Sequence, residues 1–283
     1  MLPYWLMISE TRWGWYTMDE RRQNPSGGMA HLAEQVLSGK VKPYLMAHRG
    51  NRAACPENTL AAFQRAIDEG ADILETDLHL TRDGVFVCIH DATVDRTTDG
   101  EGPVAAYSLD ELKRLHAGVG WPGYLDERIP TLKELAAILP EHMVLALELK
   151  TDSFLDEAIC ARLAEELDQA GIRTRTMAIS FSLERLQAVK RAAPDMLIGL
   201  IALSSLWPRR EPEFVGVLWP WLFLNPFYVW IAHRRGQFFC PLDPSPDPRL
   251  WFYRLLKCDS ILSDNPGETL ARLGRKGRSS GAK

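Results

Sequence analysis

The sequence predicts an α/β fold, a (β/α)8 barrel with a β-hairpin after strand 2, and three observations lead to it. From Val41 onward, short apolar segments alternate with amphipathic helical segments, a pattern typical of parallel strands joined by helices. Eight such strand segments fit into the 283 residues, and closed barrels often use this length as one domain. The turn sequence Asp83-Gly84 joins the second strand to another apolar run and leaves no room for a helix.

Each element follows from local patterning. The predicted barrel strands are, in chain order, 44–48, 72–79, 143–149, 176–181, 196–201, 221–225, 237–242 and 259–263. Residues 85–90 are expected to form the additional antiparallel strand, folded over the mouth of the barrel. Hydrophobic periodicity predicts helices within 58–70, 129–139, 154–171 and 182–194. Thr131, Ser153 and Ser182 are placed to cap the last three helices, and Gly171 is placed to end one of them.

The chain divides into three predicted regions. Residues 1–40 do not follow the alternation and form an N-terminal extension whose structure the sequence does not predict. Residues 41–270 form the barrel. Residues 271–283 are expected to be a disordered basic tail, because small and basic residues dominate the end of the chain.

Composition excludes several classes of protein. The net charge is −4 with both signs interspersed, so the basic face of a nucleic-acid-binding protein is absent from the sequence and no nucleic-acid partner is expected. The five cysteines are scattered without a Cys-x-x-Cys pair, which favours buried reduced thiols over a disulfide framework or a zinc ribbon. The first residues do not have the features of a secretory signal peptide, so we expect a cytoplasmic location.

Two predicted strands carry carboxylates on the face that points into the barrel. Because side chains alternate along a strand, "ILETDLH" places Glu75 and Asp77 together on one face and the leucines on the other. The segment "VLALELK" repeats the arrangement, with Glu148 and Lys150 directed inward and the leucines directed toward the helices. The sequence therefore predicts three acids that converge at the ends of neighbouring strands.

Buried carboxylates need a neutralising partner. Salt bridges with Lys150 or Arg49 are the ordinary structural explanation for any one of the three acids. For three acids together we favour one divalent cation, held by Glu75, Asp77 and Glu148. Ligation by oxygen alone indicates Mg²⁺, Ca²⁺ or Mn²⁺ and not a structural zinc ion.

Two histidines are predicted to reach the same mouth. His48 ends the first strand and His90 ends the hairpin strand, which suits an acid and base pair acting near neutral pH. Arg49 and Lys150 could hold a phosphate group. A cation, a histidine pair and an anion-binding arginine together indicate metal-assisted cleavage of a phosphoester. The histidines expected to be structural are His79, His116, His142 and His233.

The sequence blocks "HRG…PENT", "ETD…LTRDG…HD", "LELK" and "ILSDNP" resemble those of the glycerophosphodiester phosphodiesterase family. The resemblance runs from about residue 45 to residue 266 and is carried mainly by the first three blocks, in that order and spacing. It implies a barrel of the phospholipase C-like phosphodiesterase type. It also implies metal-dependent hydrolysis of glycerophosphodiesters to sn-glycerol 3-phosphate and an alcohol.

The resemblance also implies a role for each residue of these blocks. His48 and His90 would be the catalytic acid and base, and Glu75, Asp77 and Glu148 would bind the metal. The substrate-binding residues would be Arg49, Lys150 and Glu57. The sequence departs from the family near the seventh barrel strand, where "CPLDPSPDP" replaces a common Trp-Thr-Val-Asn block that helps line the site. Residues 1–40 have no counterpart in the family pattern.

Three alternative functions stay open at this point. One is lysophospholipase D-like hydrolysis of lysophospholipids at a membrane surface, so the expected substrate is a small-molecule or a lysolipid phosphodiester. Another is a catalytically silent barrel that binds phosphate esters or a partner; the intact set of polar residues argues against it. The third is a metal-independent phospholipase C-like barrel, against which the three converging acids argue.

An uncharged aromatic segment at 214–232 raises the question of membrane contact. Its 19 residues reach transmembrane length, but Pro220, Asn225 and Pro226 interrupt it, so a spanning helix is not expected. Packing in the barrel core is one explanation. Peripheral contact of 207–232 with the inner membrane surface is the alternative. The tryptophans that would take part are Trp207, Trp219, Trp221 and Trp230, with Trp5, Trp13 and Trp15 as a second contact.

Overall fold

The computed structural model describes residues 36–275, which form a nearly closed barrel of eight parallel strands surrounded by helices. The predicted fold class is confirmed. In chain order the strands are β1 Tyr44–Ala47, β2 Ile73–Leu80, β3 Phe86–Cys88, β4 Val144–Leu149, β5 Thr176–Ser180, β6 Leu197–Ala202, β7 Phe214–Leu218, β8 Phe238–Leu242 and β9 Ser260–Ser263. Strand β3 is the antiparallel addition and the other eight form the barrel.

The helices of the described chain lie between and after these strands. Their bounds are Leu60–Glu69, Leu109–Leu112, Leu132–Ile138, Glu157–Gln169, Leu183–Ala192, Pro220–Leu224, Phe227–Arg234, Leu250–Leu255 and Pro266–Arg272. Thr131 and Ser182 accept hydrogen bonds from backbone N–H groups at the starts of their helices, as predicted. The expected cap at Ser153 is wrong. Ser153 lies in a 3-10 turn, and Asp156 caps the following helix through its carboxylate.

A seam between β8 and β9, the two ends of the hydrogen-bonded strand order, nearly closes the barrel. The strand order is β8-β7-β6-β5-β4-β2-β1-β9, with parallel pairing throughout. Across the seam, the Asp259 N–H donates to the Phe239 carbonyl at 3.1 Å, and the Asp264 N–H donates to the Pro244 carbonyl at 2.8 Å. The C-terminal ends of all eight strands therefore lie on one rim, where barrels of this architecture place their active sites.

Alternation along β2 and β4 follows the predicted pattern. Leu74 and Leu145 pack with the helix layer. Ile73 and Ala146 pack inside the barrel with side chains from the other strands. Ala146 leaves space on the interior face below Glu148. The inward face of these two strands is therefore apolar at the base and acidic near the rim.

The hairpin after β2 is confirmed. Leu78 lies opposite Cys88 in the antiparallel pairing, and the Thr81 N–H donates to the Val85 carbonyl to close the turn at 3.0 Å. The next residue, Ile89, donates its N–H to the Asp77 carbonyl at 3.1 Å. The hairpin thus returns the chain to the end of β2, immediately before His90.

The predicted sixth barrel strand at 221–225 is wrong. The strand is Phe214–Leu218, and Pro220–Leu224 forms a helix. Pro220 stands at the first turn of that helix, where its fixed φ favours helical geometry and its missing N–H costs nothing. Both segments are short and apolar, so hydrophobicity alone could not tell strand from helix.

All five cysteines are buried and free, as predicted. Within the described residues no helix is long and apolar enough to cross a membrane, because the segment 214–232 is divided between β7 and two short helices. Most of the predicted N-terminal extension and of the basic tail, including Trp5, Trp13 and Trp15, lies outside the described residues. At the near end of the tail, Arg275 forms an ion pair with Asp72 at 2.7 Å.

Candidate active site

Three carboxylates meet at the rim of β2 and β4. Glu75, Asp77 and Glu148 are buried, and their candidate ligand oxygens all lie within 4.8 Å of one another. The parallel register sets this geometry, because Asp77 lies directly opposite Glu148 and Glu75 lies opposite Ala146. The convergence expected from side-chain alternation is therefore present.

Two cationic side chains contact the acids. Lys150 Nζ lies 3.0 Å from Asp77 Oδ1 and 2.6 Å from Glu148 Oε1. Arg49 Nε lies 3.2 Å from Asp77 Oδ2, and the Arg49 backbone N–H donates to Glu75 Oε2 at 2.9 Å. The salt bridges considered from the sequence are therefore present, and they leave two cations facing three acids.

The mismatch of charge is visible in the pKa values. Burial, with the adjacent charges of Asp77 and Glu148, raises the pKa of Glu75 well above its ordinary value. Burial also raises the pKa of Glu148, although Lys150 opposes the shift. Burial would raise the pKa of Asp77 as well, but Lys150 and Arg49 outweigh it and lower that pKa. Glu75 thus holds a proton most readily, because the local cations do not neutralise all three acids.

The site fits a divalent cation by its donor set. Asp77 Oδ1 is buried and accepts no hydrogen bond of normal geometry, although Lys150 Nζ lies 3.0 Å away, so this oxygen keeps lone-pair capacity for a cation at the centre of the cluster. All three candidate ligands are carboxylate oxygens, which suit hard cations such as Mg²⁺, Ca²⁺ and Mn²⁺. The triad could therefore bind a divalent metal.

A tight turn after β1 directs Arg49 into the cluster. Arg49 and Gly50 have φ values of +55° and +79°, in the left-handed region. A Cβ atom at Gly50 would meet the Ala62 carbonyl carbon at 2.5 Å, so only glycine fits there. The turn lets the Arg49 backbone reach Glu75 while its side chain reaches Asp77.

Asn58 is a residue of the cluster that the sequence analysis did not assign. Its side-chain Nδ2 donates to Asp77 Oδ2 at 2.8 Å, and its Oδ1 accepts from the Thr76 hydroxyl at 2.8 Å. Its backbone N–H donates to the Arg49 carbonyl at 3.1 Å. These bonds fix the orientation of the Asp77 carboxylate. The available signal was its place inside the "PENT" block.

His48 is paired with an acid from the last barrel strand. Its Nδ1 lies 2.7 Å from Oδ1 of Asp264, which follows β9. Burial lowers the pKa of His48, and the hydrogen bond to Asp264 opposes that shift. Asp264 was not assigned a role from the sequence, although it lies inside the "ILSDNP" block.

His90 belongs to a second network on the rim. Its Nδ1 lies 2.6 Å from Asp91 Oδ1, and Arg96 Nε donates to Asp91 Oδ2 at 2.6 Å. The hydrogen bond from Arg96 lowers the pKa of Asp91 to about 2. Arg96 also donates to Glu57 Oε1 at 2.7 Å, which links the His90 network to the Arg49 side of the site.

Glu57 lies among three arginines. It accepts from Arg49 at 2.9 Å and forms an ion pair with Arg52 at 3.1 Å, in addition to its bond with Arg96. Burial would raise the pKa of Glu57, but the hydrogen bond from Arg96 and the charges of Arg49 and Arg52 lower it to about 2. Glu57 is therefore saturated as an acceptor, and it holds Arg49 in place.

The rest of the pocket is apolar. Beside His48, Glu75 and Glu148, its wall is formed by Met46 of β1 and by residues of β5 to β9. These include Ile179, Ile201, Phe214, Leu242 and Leu262. The stretch that replaces the Trp-Thr-Val-Asn block contributes Cys240, Pro241 and Leu242 to this wall. The pocket therefore has one charged side and one apolar side.

Three of the four histidines predicted to be structural, His79, His116 and His233, lie in ordinary hydrogen-bonded positions. His79 Nε2 lies 3.1 Å from the His90 carbonyl oxygen, and His116 Nδ1 lies 2.6 Å from the Leu125 carbonyl oxygen. His233 Nε2 lies 2.8 Å from Asp259 Oδ2 at the opposite end of the barrel from the acids. The hydrogen bonds of these three rings are to groups other than the three acids.

Comparison with known proteins identifies the family of the chain. The model of the glycerophosphoryl diester phosphodiesterase family matches residues 48–222. The chain belongs to this family. A glycerophosphodiester phosphodiesterase of Caldanaerobacter subterraneus subsp. tengcongensis is 37% identical over 250 residues, covering 84% of this chain and 100% of the relative. The chain is therefore an enzyme of the phosphoric diester hydrolase class.

Solved structures of the family share the fold. A phosphodiesterase from Oleispira antarctica, determined with the product sn-glycerol-3-phosphate, matches with a TM-score of 0.71 at 28% identity, covering 82% of this chain and 97% of that one. A glycerophosphodiester phosphodiesterase from Agrobacterium tumefaciens matches with a TM-score of 0.66 at 26% identity, covering 79% and 97%. The resemblance recognised in the sequence blocks is confirmed.

Proposed function

We propose that the protein hydrolyses glycerophosphodiesters to sn-glycerol 3-phosphate and an alcohol, with one divalent cation held by Glu75, Asp77 and Glu148 and with His48 and His90 as the acid and base. The observation that carries this proposal is the convergence of the three buried acids within 4.8 Å, beside a pocket that Glu75, Glu148 and His48 line. Such a cation would stabilise the negative charge that develops on the phosphoryl oxygens.

His48 is suited to accept a proton. A carboxylate can only accept, so the hydrogen bond to Asp264 places the His48 proton on Nδ1 and leaves a lone pair on Nε2. The lowered pKa keeps the ring neutral near neutral pH. His48 is thus assigned as the base, oriented by Asp264.

His90 is suited to donate a proton. Asp91 stays ionised near neutral pH, because its pKa is about 2. The Asp91 carboxylate orients the His90 ring through the bond at Nδ1 and leaves Nε2 as the ring nitrogen available to the substrate. His90 is thus assigned as the acid that protonates the leaving alcohol oxygen.

Arg49 and Lys150 are assigned to the phosphate group. Both side chains contact the acids, and burial does not prevent their charge, because the neighbouring carboxylates raise both pKa values. Glu57 is assigned to the support of Arg49, through the 2.9 Å bond. Arg49 can bind a phosphate through two N–H groups, and Lys150 acts as a point charge.

The test is the release of sn-glycerol 3-phosphate from glycerophosphocholine by the full-length protein, before and after EDTA treatment. The expected result is turnover that EDTA abolishes and that Mg²⁺, Ca²⁺ or Mn²⁺ restores. Turnover that survives EDTA would instead support the metal-independent mechanism. No turnover under any condition, on this or other glycerophosphodiesters, would support the silent barrel.

A second candidate is lysophospholipase D-like hydrolysis of lysophospholipids. The apolar side chains at the rim ends of β6 and β8, Ile201 and Leu242, favour it, because an acyl chain that leaves the site over the rim would lie against them. The measurement is the ratio of kcat/KM for lysophosphatidylcholine and glycerophosphocholine. A ratio above one supports the lysolipid substrate, and a clear preference for the water-soluble diester excludes it.

A further inference from the structure

One side of the barrel lacks its outer helix. The connection from β6 to β7, residues 203–213, is fully described and contains no helix. A (β/α)8 barrel normally covers each strand with one. Here an irregular segment takes the place of the helix.

This segment and the helices after β7 form one continuous surface. Trp221 Nε1 donates to the Leu203 carbonyl at 2.8 Å, and Asn225 Nδ2 donates to the Leu206 carbonyl at 2.5 Å. Farther along, Arg235 Nη1 donates to the Pro208 carbonyl at 2.5 Å. We call this the flank surface: the exposed residues of 203–210 and 220–235. It begins at the catalytic rim, since residue 203 follows β6 directly.

The flank surface exposes large apolar side chains. Their exposed fractions are 61% for Leu203, 44% for Leu206, 60% for Trp207, 69% for Leu224, 66% for Phe227 and 58% for Trp230. Single exposed apolar residues are common, but a contiguous group of this kind marks an interaction site. Packing against the barrel core does not explain this group, because each of these side chains is at least 44% exposed.

Charge decides the kind of partner. The whole chain is net negative, yet residues 203–236 contain four arginines and two glutamates. Glu213 is already paired with Lys190 at 2.7 Å, and Arg234 lies over the Trp230 ring at 5.5 Å. Aromatic side chains beside exposed arginines are the composition that settles at anionic lipid headgroups. A second copy of the chain would bring its own arginines against these.

We propose that the flank surface docks the protein on an anionic lipid bilayer, with the rim of the barrel at the edge of the contact. Trp207, Leu224, Phe227 and Trp230 would enter the headgroup region. Arg209, Arg210 and Arg234 would face the lipid charge. This docking is independent of the reaction chemistry, and it would bring the pocket close to diesters at the membrane surface.

The test is co-sedimentation of the full-length protein with vesicles of phosphatidylcholine alone and of phosphatidylcholine mixed with phosphatidylglycerol. The protein is expected to bind the mixed vesicles, and added salt should weaken this binding. The double variant Trp207→Ala/Trp230→Ala and the variant Leu224→Ala should each bind less, by about tenfold or more for the double variant. Leu125→Ala is the matched control, since Leu125 is 61% exposed and lies outside the flank surface.

Three outcomes would overturn the proposal. The first is no binding of the wild-type protein to the mixed vesicles. The second is binding that both sets of variants keep, which would place the contact elsewhere. The third is self-association of the wild-type protein that the double variant Trp207→Ala/Trp230→Ala abolishes, because the surface would then join two copies of the chain. The rate on glycerophosphocholine should be unchanged in these variants, so a loss of lipid binding is distinguishable from a failure of the proposed hydrolysis.

Discussion

Nδ1 of His48 lies 2.7 Å from Oδ1 of Asp264, a residue 216 positions further along the chain. The two meet because β1 and β9 are neighbours in the barrel, with Ala47 opposite Ser263 and the His48 N–H bonded to the Ser263 carbonyl at 3.0 Å. The closing strand therefore orients a proposed catalytic group on the first strand.

The variant Asp264→Asn tests this pairing. An amide can donate to Nδ1, which would favour the wrong tautomer of His48, so kcat should fall by about 10²–10⁴-fold with little change in KM. The measurement is the kinetics on glycerophosphocholine at several pH values. Asp195→Asn is the control, because Asp195 pairs with Arg173 on the surface. Unchanged kcat in Asp264→Asn would leave the pair with a structural role only.

The pH dependence of kcat/KM tests the histidine pair. We expect a bell-shaped profile, as acid and base catalysis requires. Because burial lowers the pKa of His48, the acid limb should lie below the ordinary histidine value of about 6.5.

His48→Ala and His90→Ala should each lower kcat by roughly 10²–10⁴-fold. His116→Ala should retain the wild-type rate, since its ring bonds the Leu125 carbonyl. A mild effect in either of the first two variants would give that residue a structural role instead.

Gly50→Ala tests the turn that carries Arg49. Gly50 and Gly120 share a φ of +79°, but only at Gly50 would a Cβ meet backbone, the Ala62 carbonyl carbon at 2.5 Å. Gly120→Ala should cost about 1–2 kcal/mol from the backbone conformation. Gly50→Ala should lower the free energy of unfolding by roughly 1–3 kcal/mol more than Gly120→Ala, because the new Cβ would overlap the Ala62 backbone. Denaturant unfolding measures the stability of both variants. Equal losses of stability would contradict the close approach of Gly50 to the Ala62 backbone.

Asp259 stabilises the seam of the barrel in a pH-dependent way. Its carboxylate accepts from Lys42, from His233 and from the Phe239 N–H at distances of 2.5, 2.8 and 2.9 Å. Burial would raise the pKa of Asp259, but these hydrogen bonds outweigh it and lower that pKa. A depressed pKa means that the stabilisation is present above the unfolded value of about 3.9 and is lost as the pH falls through the folded value.

Asp259→Asn should therefore lower the free energy of unfolding by about 2–3 kcal/mol at neutral pH. Thermal unfolding of both proteins across pH measures the difference. It should shrink below a pH of about 4, where Asp259 in the unfolded wild-type chain begins to take up a proton while the folded carboxylate is still ionised. A difference that is constant with pH would show that charge is not the source of the stabilisation.

Local sequence patterns predict the acidic cluster. The roles of Asp264 and Asn58 depend on contacts that such patterns do not contain. Glu75, Asp77 and Glu148 were found because alternation along a strand depends only on neighbouring residues. The bond between His48 and Asp264 depends on how the barrel closes, which periodicity does not encode. The role of Asn58 depends on a left-handed turn that brings its amide to Asp77.

The misassigned strand has a different cause. "FVGVL" and "WLFLN" are both short and apolar, and the chain gives one to β7 and the other to a helix. The missing helix between β6 and β7 removed the regular spacing on which the prediction relied. Ser153 has the residue type of a helix cap, but the helix begins at Glu157, and Asp156 immediately precedes it.

The central claim is that Glu75, Asp77 and Glu148 form one site for a divalent cation. The most direct measurement is calorimetric titration of Mg²⁺, Ca²⁺ and Mn²⁺ into the EDTA-treated, dialysed full-length protein, its Glu75→Gln variant and the surface control Glu141→Gln. We expect one site per chain in the wild type and the control, with affinity at least about 100-fold weaker in Glu75→Gln. Absence of binding by the wild-type protein, or equal affinity in Glu75→Gln, would contradict it.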